Sequence, residues 1–181
     1  MCLRPGPTNI VTLVITKKHG FFSSLPFLKG SVVGYSTLAL MVGIGHFELV
    51  EEFNQFLRLL TLCGSVYIII IALCIINSNK IVIFSKNSER AFSGGFLLQW
   101  INPYCWISVS EGISKYVNSH ESLAVFIAIT TFMGLSCQLA WAYIGDKIAN
   151  IFSSPLEQEI YNVILAGSLA ATAIYILKSI V

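Results

Sequence analysis

Residues 92–113 read FSGGFLLQWINPYCWISVSEGI, an apolar stretch that is interrupted near its middle by Asn102 and Pro103. A helix needs about 20 apolar residues to cross a bilayer core of about 30 Å, and this stretch is long enough. Proline lacks a backbone donor and clashes with the carbonyl one turn earlier, but it suits the first position of a new helix after an Asn or Gly cap. The stretch therefore predicts a membrane helix that breaks at Asn102 and restarts at Pro103.

A second break of the same kind lies near the start of the chain. Residues 5–9 read PGPTN and precede the apolar residues 10–16, so Gly6-Pro7 repeats the pattern of a cap followed by proline. Even when it is counted from Leu3, this segment rises only about 20 Å, which is less than a full crossing. The sequence predicts a short hydrophobic segment here.

The composition indicates an all-α integral membrane protein. The 181 residues are 55% hydrophobic and 11% charged, with a mean hydropathy of +0.77, whereas soluble domains carry about 25% charged residues. Together with the short opening segment, the apolar runs predict about six transmembrane segments in contact with lipid. The five long runs are residues 27–45, 56–76, 92–113, 122–145 and 160–181.

The same sequence excludes several other functions. The net charge is +2, and no basic block is longer than residues 17–19, so we expect no nucleic-acid partner. Five cysteines and three histidines are scattered without metal-ligand spacing. No nucleophile–base pair, phosphate loop or pair of carboxylates is present. We therefore expect no metal, no cofactor and no enzymatic activity.

Charge in the loops predicts the orientation. The first loop, around residues 17–29, and the third, around residues 77–91, are basic. The positive-inside rule places both in the cytoplasm of a multi-pass membrane protein, with the C-terminus outside. The third loop also divides one domain, 1–181, into halves of about 1–78 and 93–181. Each half opens with a broken segment, which is a pattern typical of transporters built from inverted repeats.

Each break predicts a binding element for a carboxylate. A helix that restarts inside the membrane points free N–H groups and a positive dipole end inward, and these can hold an anion such as an amino-acid carboxylate. A simple kink is the alternative interpretation of each proline. Ser108 and Ser110 follow the second break, where they either bind a substrate amine or bond back to helix carbonyls.

The two broken stretches also resemble a known family. PGPTNIVTLVITKKHGFFSSLPFLKG (residues 5–30) and GGFLLQWINPYCWISV (residues 94–109) resemble the two signature regions of the LysE/RhtB superfamily of amino-acid exporters. The resemblance implies a small inner-membrane carrier of six helices, driven by the proton motive force, that exports amino acids or related metabolites as a homodimer. By position it implies substrate-binding roles for Pro5, Gly6, Pro7, Asn9, Asn102 and Pro103.

Three departures from the family pattern bear on this expectation. Only residues 1–4 precede Pro5, so we expect either a truncated first helix or a translation start upstream of Met1. Tyr35 stands where relatives often have an acidic residue, and Tyr104 stands where they often have a basic residue or His. Without an interior acid we expect a neutral substrate rather than lysine or arginine. The alternative is a degenerate, non-transporting membrane scaffold or assembly protein of the same fold.

Two further features allow more than one interpretation. Gly30 and Gly34 form a GxxxG pattern, which indicates close helix packing either within the chain or at a dimer seam. Glu111 and Asp146 are the acidic residues nearest to the membrane interior. Because both lie at span ends, we interpret them as interfacial charges rather than as functional groups.

Overall fold

Helices make up the regular structure of the computed structural model, which describes residues 6–46, 52–77, 87–151 and 154–178. No strand occurs in these residues, so the predicted all-α class is confirmed there. The seven helices within the described ranges are α1 (Pro7–His19), α2 (Phe21–His46), α3 (Glu52–Ile76), α4 (Ser88–Ile101), α5 (Pro103–Tyr116), α6 (His120–Ile151) and α7 (Pro155–Lys178).

Four of these helices are long and apolar enough to cross a membrane. The four crossing segments, found within the described residues, are Phe21–Gly45, Leu59–Ile76, His120–Ile148 and Leu156–Lys178. They correspond to four of the five predicted runs. The fifth, residues 92–113, is divided between α4 and α5, each of 14 residues. The predicted break at Asn102-Pro103 is therefore confirmed, while the full arrangement of six segments stays a prediction.

The connection between α1 and α2 is tighter than the sequence suggested. Gly20 alone separates the two helices; its φ is +84°, and its N–H donates to the Thr16 carbonyl at 2.8 Å. A positive φ is readily adopted only by glycine, which ends α1 here. α2 then begins at Phe21, whose N–H donates to Asp146 Oδ1 at 3.2 Å. Asp146 thus acts from α6 as a cap for α2.

Helices from the two halves of the sequence pack against each other. The helix pairs that pack most extensively are α2 with α4, α3 with α7, and α1 with α6. α2 and α4 approach most closely at glycines, because a Cβ on Gly30 would clash with the Phe92 carbonyl and one on Gly95 with the Phe27 carbonyl. The GxxxG pattern therefore serves packing within the chain.

The outer surface of α6 is apolar. Phe132 is 72% exposed, and Val125, Ile129 and Met133 are exposed beside it. An apolar face of this kind is suited to contact with lipid acyl chains.

Candidate functional site

A cavity of about 650 Å³ opens between α1, α2, α4, α5 and α6. Its volume falls within the range of about 300–1,000 Å³ that is typical of small-molecule sites. The walls combine neutral polar side chains with apolar and aromatic ones.

The two predicted breaks meet at this cavity. Gly6, Pro7 and Asn9 line it at the start of α1, and Asn102 and Ser108 line it from the α4–α5 break. Pro103 is not part of the lining; it packs against α3 at Gly64. Pro5 lies outside the described residues. Five of the seven predicted site residues therefore share one cavity, although their binding role stays a prediction.

Among the described residues, no side chain caps the N-terminus of α1. Gly6 occupies the N-cap position with extended backbone angles (φ −81°, ψ 169°), and Pro7 follows at the first helical position. The Gly6 carbonyl accepts from the Ile10 N–H at 3.0 Å. Because glycine has no side-chain acceptor, Gly6 does not accept hydrogen bonds from the backbone N–H groups of the first turn through a side chain.

The sequence predicts free backbone N–H groups at the N-terminus of α5, whereas in the structure the first of these groups are hydrogen-bonded. The Tyr104 N–H donates to Asn102 Oδ1 at 3.2 Å, and the Cys105 N–H donates to the Asn102 carbonyl at 3.0 Å. Pro103 has no N–H to offer. Asn102 thus satisfies the first-turn donors of α5 itself, because an asparagine at this position caps the helix that follows it.

A chain of buried polar side chains crosses the cavity wall. Gln99 Nε2 donates to Thr8 Oγ1 at 3.0 Å and to Ser31 Oγ, and Gln99 Oε1 accepts from the Cys105 thiol at 2.9 Å. Gln138 Nε2 donates to the same Ser31 Oγ at 2.9 Å. This network joins α1, α2, α4, α5 and α6.

The sequence-based prediction of the site missed most of this network. Gln99 lies within the apolar FLLQWI and Gln138 within LSCQLAW. A polar side chain inside a membrane segment is expensive to bury and is a marker of function, which is the signal that could have identified both glutamines. Ser108, which was predicted, donates to the Cys105 carbonyl at 3.2 Å.

The cavity is nearly free of charge. Glu111 and Lys115 are its charged lining residues among those described, and both are exposed on α5. Tyr35 and Tyr104, at the two positions where the resemblance leads one to expect charged groups, also line it. The departures from the family pattern therefore give the cavity a neutral wall.

Apolar spanning helices around a cavity that is lined by apolar, aromatic and neutral polar side chains are typical of a helical membrane transporter. Residues 1–179 match the LysE type translocator family, and the chain belongs to this family. It is 27% identical over 154 residues to the cysteine/O-acetylserine efflux protein of Klebsiella pneumoniae, covering 83% of this chain and 79% of that relative. It is 25% identical over 178 residues to the protein of the same name from Escherichia coli strain K12, covering 96% and 90%. No solved structure matches the chain.

Proposed function

We propose that this protein exports a small neutral amino acid, similar in size to cysteine or O-acetylserine, across the inner membrane. The observation that carries the proposal is the cavity at which the N-termini of α1 and α5 meet, whose wall is largely uncharged. Relatives named as cysteine/O-acetylserine efflux proteins support the substrate class. A cavity of this size with neutral polar side chains in its wall also favours transport over the scaffold alternative.

The substrate carboxylate binds at the N-terminus of α1. The positive end of the helix dipole favours an anion, and Gly6 brings no side-chain acceptor to compete with it. At α5 the dipole also favours an anion, but Asn102 Oδ1 already accepts from the Tyr104 N–H. The Asn102 side chain therefore has to turn away when a carboxylate binds to α5.

The neutral wall favours a zwitterion over a cation. A neutral amino acid carries one positive and one negative group, so its net charge matches that of the cavity lining. A lysine or arginine side chain adds a charge that is costly to bury without an acidic partner. No carboxylate lies in the cavity lining of the described residues other than that of the exposed Glu111.

Alternating access follows from the two halves of the chain. If α1, α2 and α3 correspond to α5, α6 and α7, an inverted repeat relates the contact of α1 with α6 to that of α2 with α5. Both contacts are present, as is that of α3 with α7, which supports such an arrangement of residues 1–78 and 93–181. One half rocks against the other around the cavity, driven by the proton motive force. The first and third loops face the cytoplasm, and the protein works as a homodimer.

Efflux of amino acids from intact cells tests this proposal. Cells that express the protein are loaded with dipeptides, and the amino acids they release are measured over time. We expect faster release of a small neutral amino acid, which is lost in Asn102→Ala and retained in Asn162→Ala, a matched change on α7 away from the cavity. Unchanged release from an Asn102→Ala protein that is present in the membrane would contradict the assigned site.

A further inference from the structure

One buried acceptor in the cavity wall has no partner. Gln138 is 9% exposed and lines the cavity from α6. Its Nε2 donates to Ser31 Oγ at 2.9 Å, whereas its Oε1 is buried without a hydrogen-bond partner among the described residues. A buried polar atom left without a partner destabilises the structure because it has lost its hydrogen bonds to water. This atom therefore indicates a ligand that brings a hydrogen-bond donor.

Gln138 and the proposed carboxylate site line the same cavity and are joined by hydrogen bonds. Three consecutive hydrogen bonds lead from Thr8 through Gln99 and Ser31 to Gln138. Thr8 is the second residue of α1, whose N-terminus is assigned to the carboxylate. Hydrogen bonds thus connect the amide of Gln138 to the first turn of α1.

Space for a ligand adjoins Gln138 on α6. Gly134, one turn earlier on the same face, also lines the cavity, and a Cβ placed on it would meet no atom within 4 Å. Thr131, a further turn earlier, lines the cavity as well. A small group can therefore approach the Gln138 side chain along this face of α6, and rotation of the amide then exposes the buried Oε1 to it.

We propose that Gln138 Oε1 accepts a hydrogen bond from the substrate ammonium group and thereby sets the preference for neutral over cationic amino acids. The inference rests on the proposed export of amino acids. An ammonium group has three donors and no acceptor, so it suits a carbonyl oxygen. An amide binds it without adding a negative charge, and the site therefore gives no extra attraction to a second cationic group.

Transport by purified protein in liposomes tests the role of Gln138. Uptake of labelled O-acetyl-L-serine and L-lysine is measured for the wild type, Gln138→Leu and Gln138→Glu. Gln158→Leu and Gln158→Glu are matched controls on the exposed start of α7. Gel filtration of each variant in detergent confirms that it is folded.

The two variants have opposite expected effects. Gln138→Leu removes the acceptor and raises the half-saturating O-acetyl-L-serine concentration about tenfold or more, as expected for a hydrogen bond to a charged group. Gln138→Glu keeps an acceptor, so its half-saturating O-acetyl-L-serine concentration stays within about threefold of the wild-type value. Its added negative charge raises the ratio of lysine transport to O-acetyl-L-serine transport. Both Gln158 variants behave as the wild type.

Other results separate this inference from the proposed function. If the wild type transports but Gln138→Leu stays within about twofold of it, the role of Gln138 is overturned while export stands. Equal losses in Gln138→Leu and Gln138→Glu would also overturn it. A wild type that transports no amino acid would overturn both the proposed function and the inference.

Discussion

Asn102 connects two helices and satisfies the backbone of both. Its N–H donates to the Leu98 carbonyl at the end of α4, and its Oδ1 accepts from the Tyr104 N–H at the start of α5. Its Nδ2 also donates to Cys105 Sγ at 3.3 Å. One amide side chain thus stabilises the break and faces the cavity, so its structural and functional roles have to be separated by experiment.

Asn102→Asp separates these roles. Aspartate is as good an N-cap as asparagine, so the break between α4 and α5 keeps its cap. Because Asn102 is only 2% exposed, gel filtration in detergent first checks that the charged variant is folded. Its negative charge repels a substrate carboxylate, and we expect export to fall about tenfold or more, because like charges brought together cost several kcal/mol. Asn87→Asp is the matched control, since Asn87 caps α4 through the same contact, at 2.9 Å from the Glu89 N–H, on an exposed surface. Wild-type efflux from Asn102→Asp would contradict carboxylate binding here.

A substitution at Gly134 tests whether the substrate passes through the cavity. Because a Cβ at this position meets open space, Gly134→Leu fills the cavity without disturbing a packed neighbour. We expect the protein to insert normally and its efflux to fall to the level of cells that lack it. Gly167→Leu, at an exposed position on α7 that is equally open, keeps wild-type efflux. Equal efflux from both variants would show that the substrate does not pass Gly134.

Sequence analysis predicts those site residues whose role is local and misses those whose partners are remote in the chain. The break at Asn102 is a local property of one dipeptide, so it can be read from the chain. The partners of the glutamines are remote: Gln99 and Thr8 are 91 positions apart, and Gln138 and Ser31 are 107 apart. Sequence patterns mark each glutamine as unusual but cannot show which helices bring them together.

Among the helices, the contact between α2 and α4 depends most on small residues. Gly30 meets the backbone of Phe92, and Gly34 meets that of Phe96. Small residues allow helices in a membrane to approach closely, so that many weak van der Waals contacts form along the seam. The GxxxG pattern predicts such a contact, but only the structure identifies α4 as the partner, because the pattern carries no information about the opposite helix.

Gly30→Ala tests this seam. The added methyl group clashes with the Phe92 carbonyl, and we expect a loss of stability of about 1–3 kcal/mol, as for other overpacked contacts. Gly45→Ala lies on the same helix in open space and should be neutral or stabilising by up to about 1 kcal/mol. Thermal unfolding in detergent, followed by gel filtration, measures both. A Gly30→Ala protein as stable as Gly45→Ala would contradict the close approach of α2 and α4.

Considered as a whole, the molecule places its polar network between the two proposed halves. Thr8 and Ser31 come from the first half, while Gln99, Cys105 and Gln138 come from the second. Rocking of one half against the other therefore has to break or remake these hydrogen bonds. The charge pattern predicts the halves and their orientation but not this network, since the network depends on how the helices cross.

A covalent bond between the halves tests the rocking motion. Ser36 Oγ on α2 and Thr131 Oγ1 on α6 are 2.9 Å apart, which brings the two Cβ atoms near the separation of about 3.5–4.5 Å that a disulfide requires. We expect the variant with both Ser36→Cys and Thr131→Cys to stop exporting when it is oxidised and to recover when it is reduced. The single variants, Ser36→Cys and Thr131→Cys, control for the native cysteines. We expect the oxidant to leave their export unchanged. Full export by the cross-linked protein would show that α2 and α6 move together, and the rocking halves would then have to be divided elsewhere.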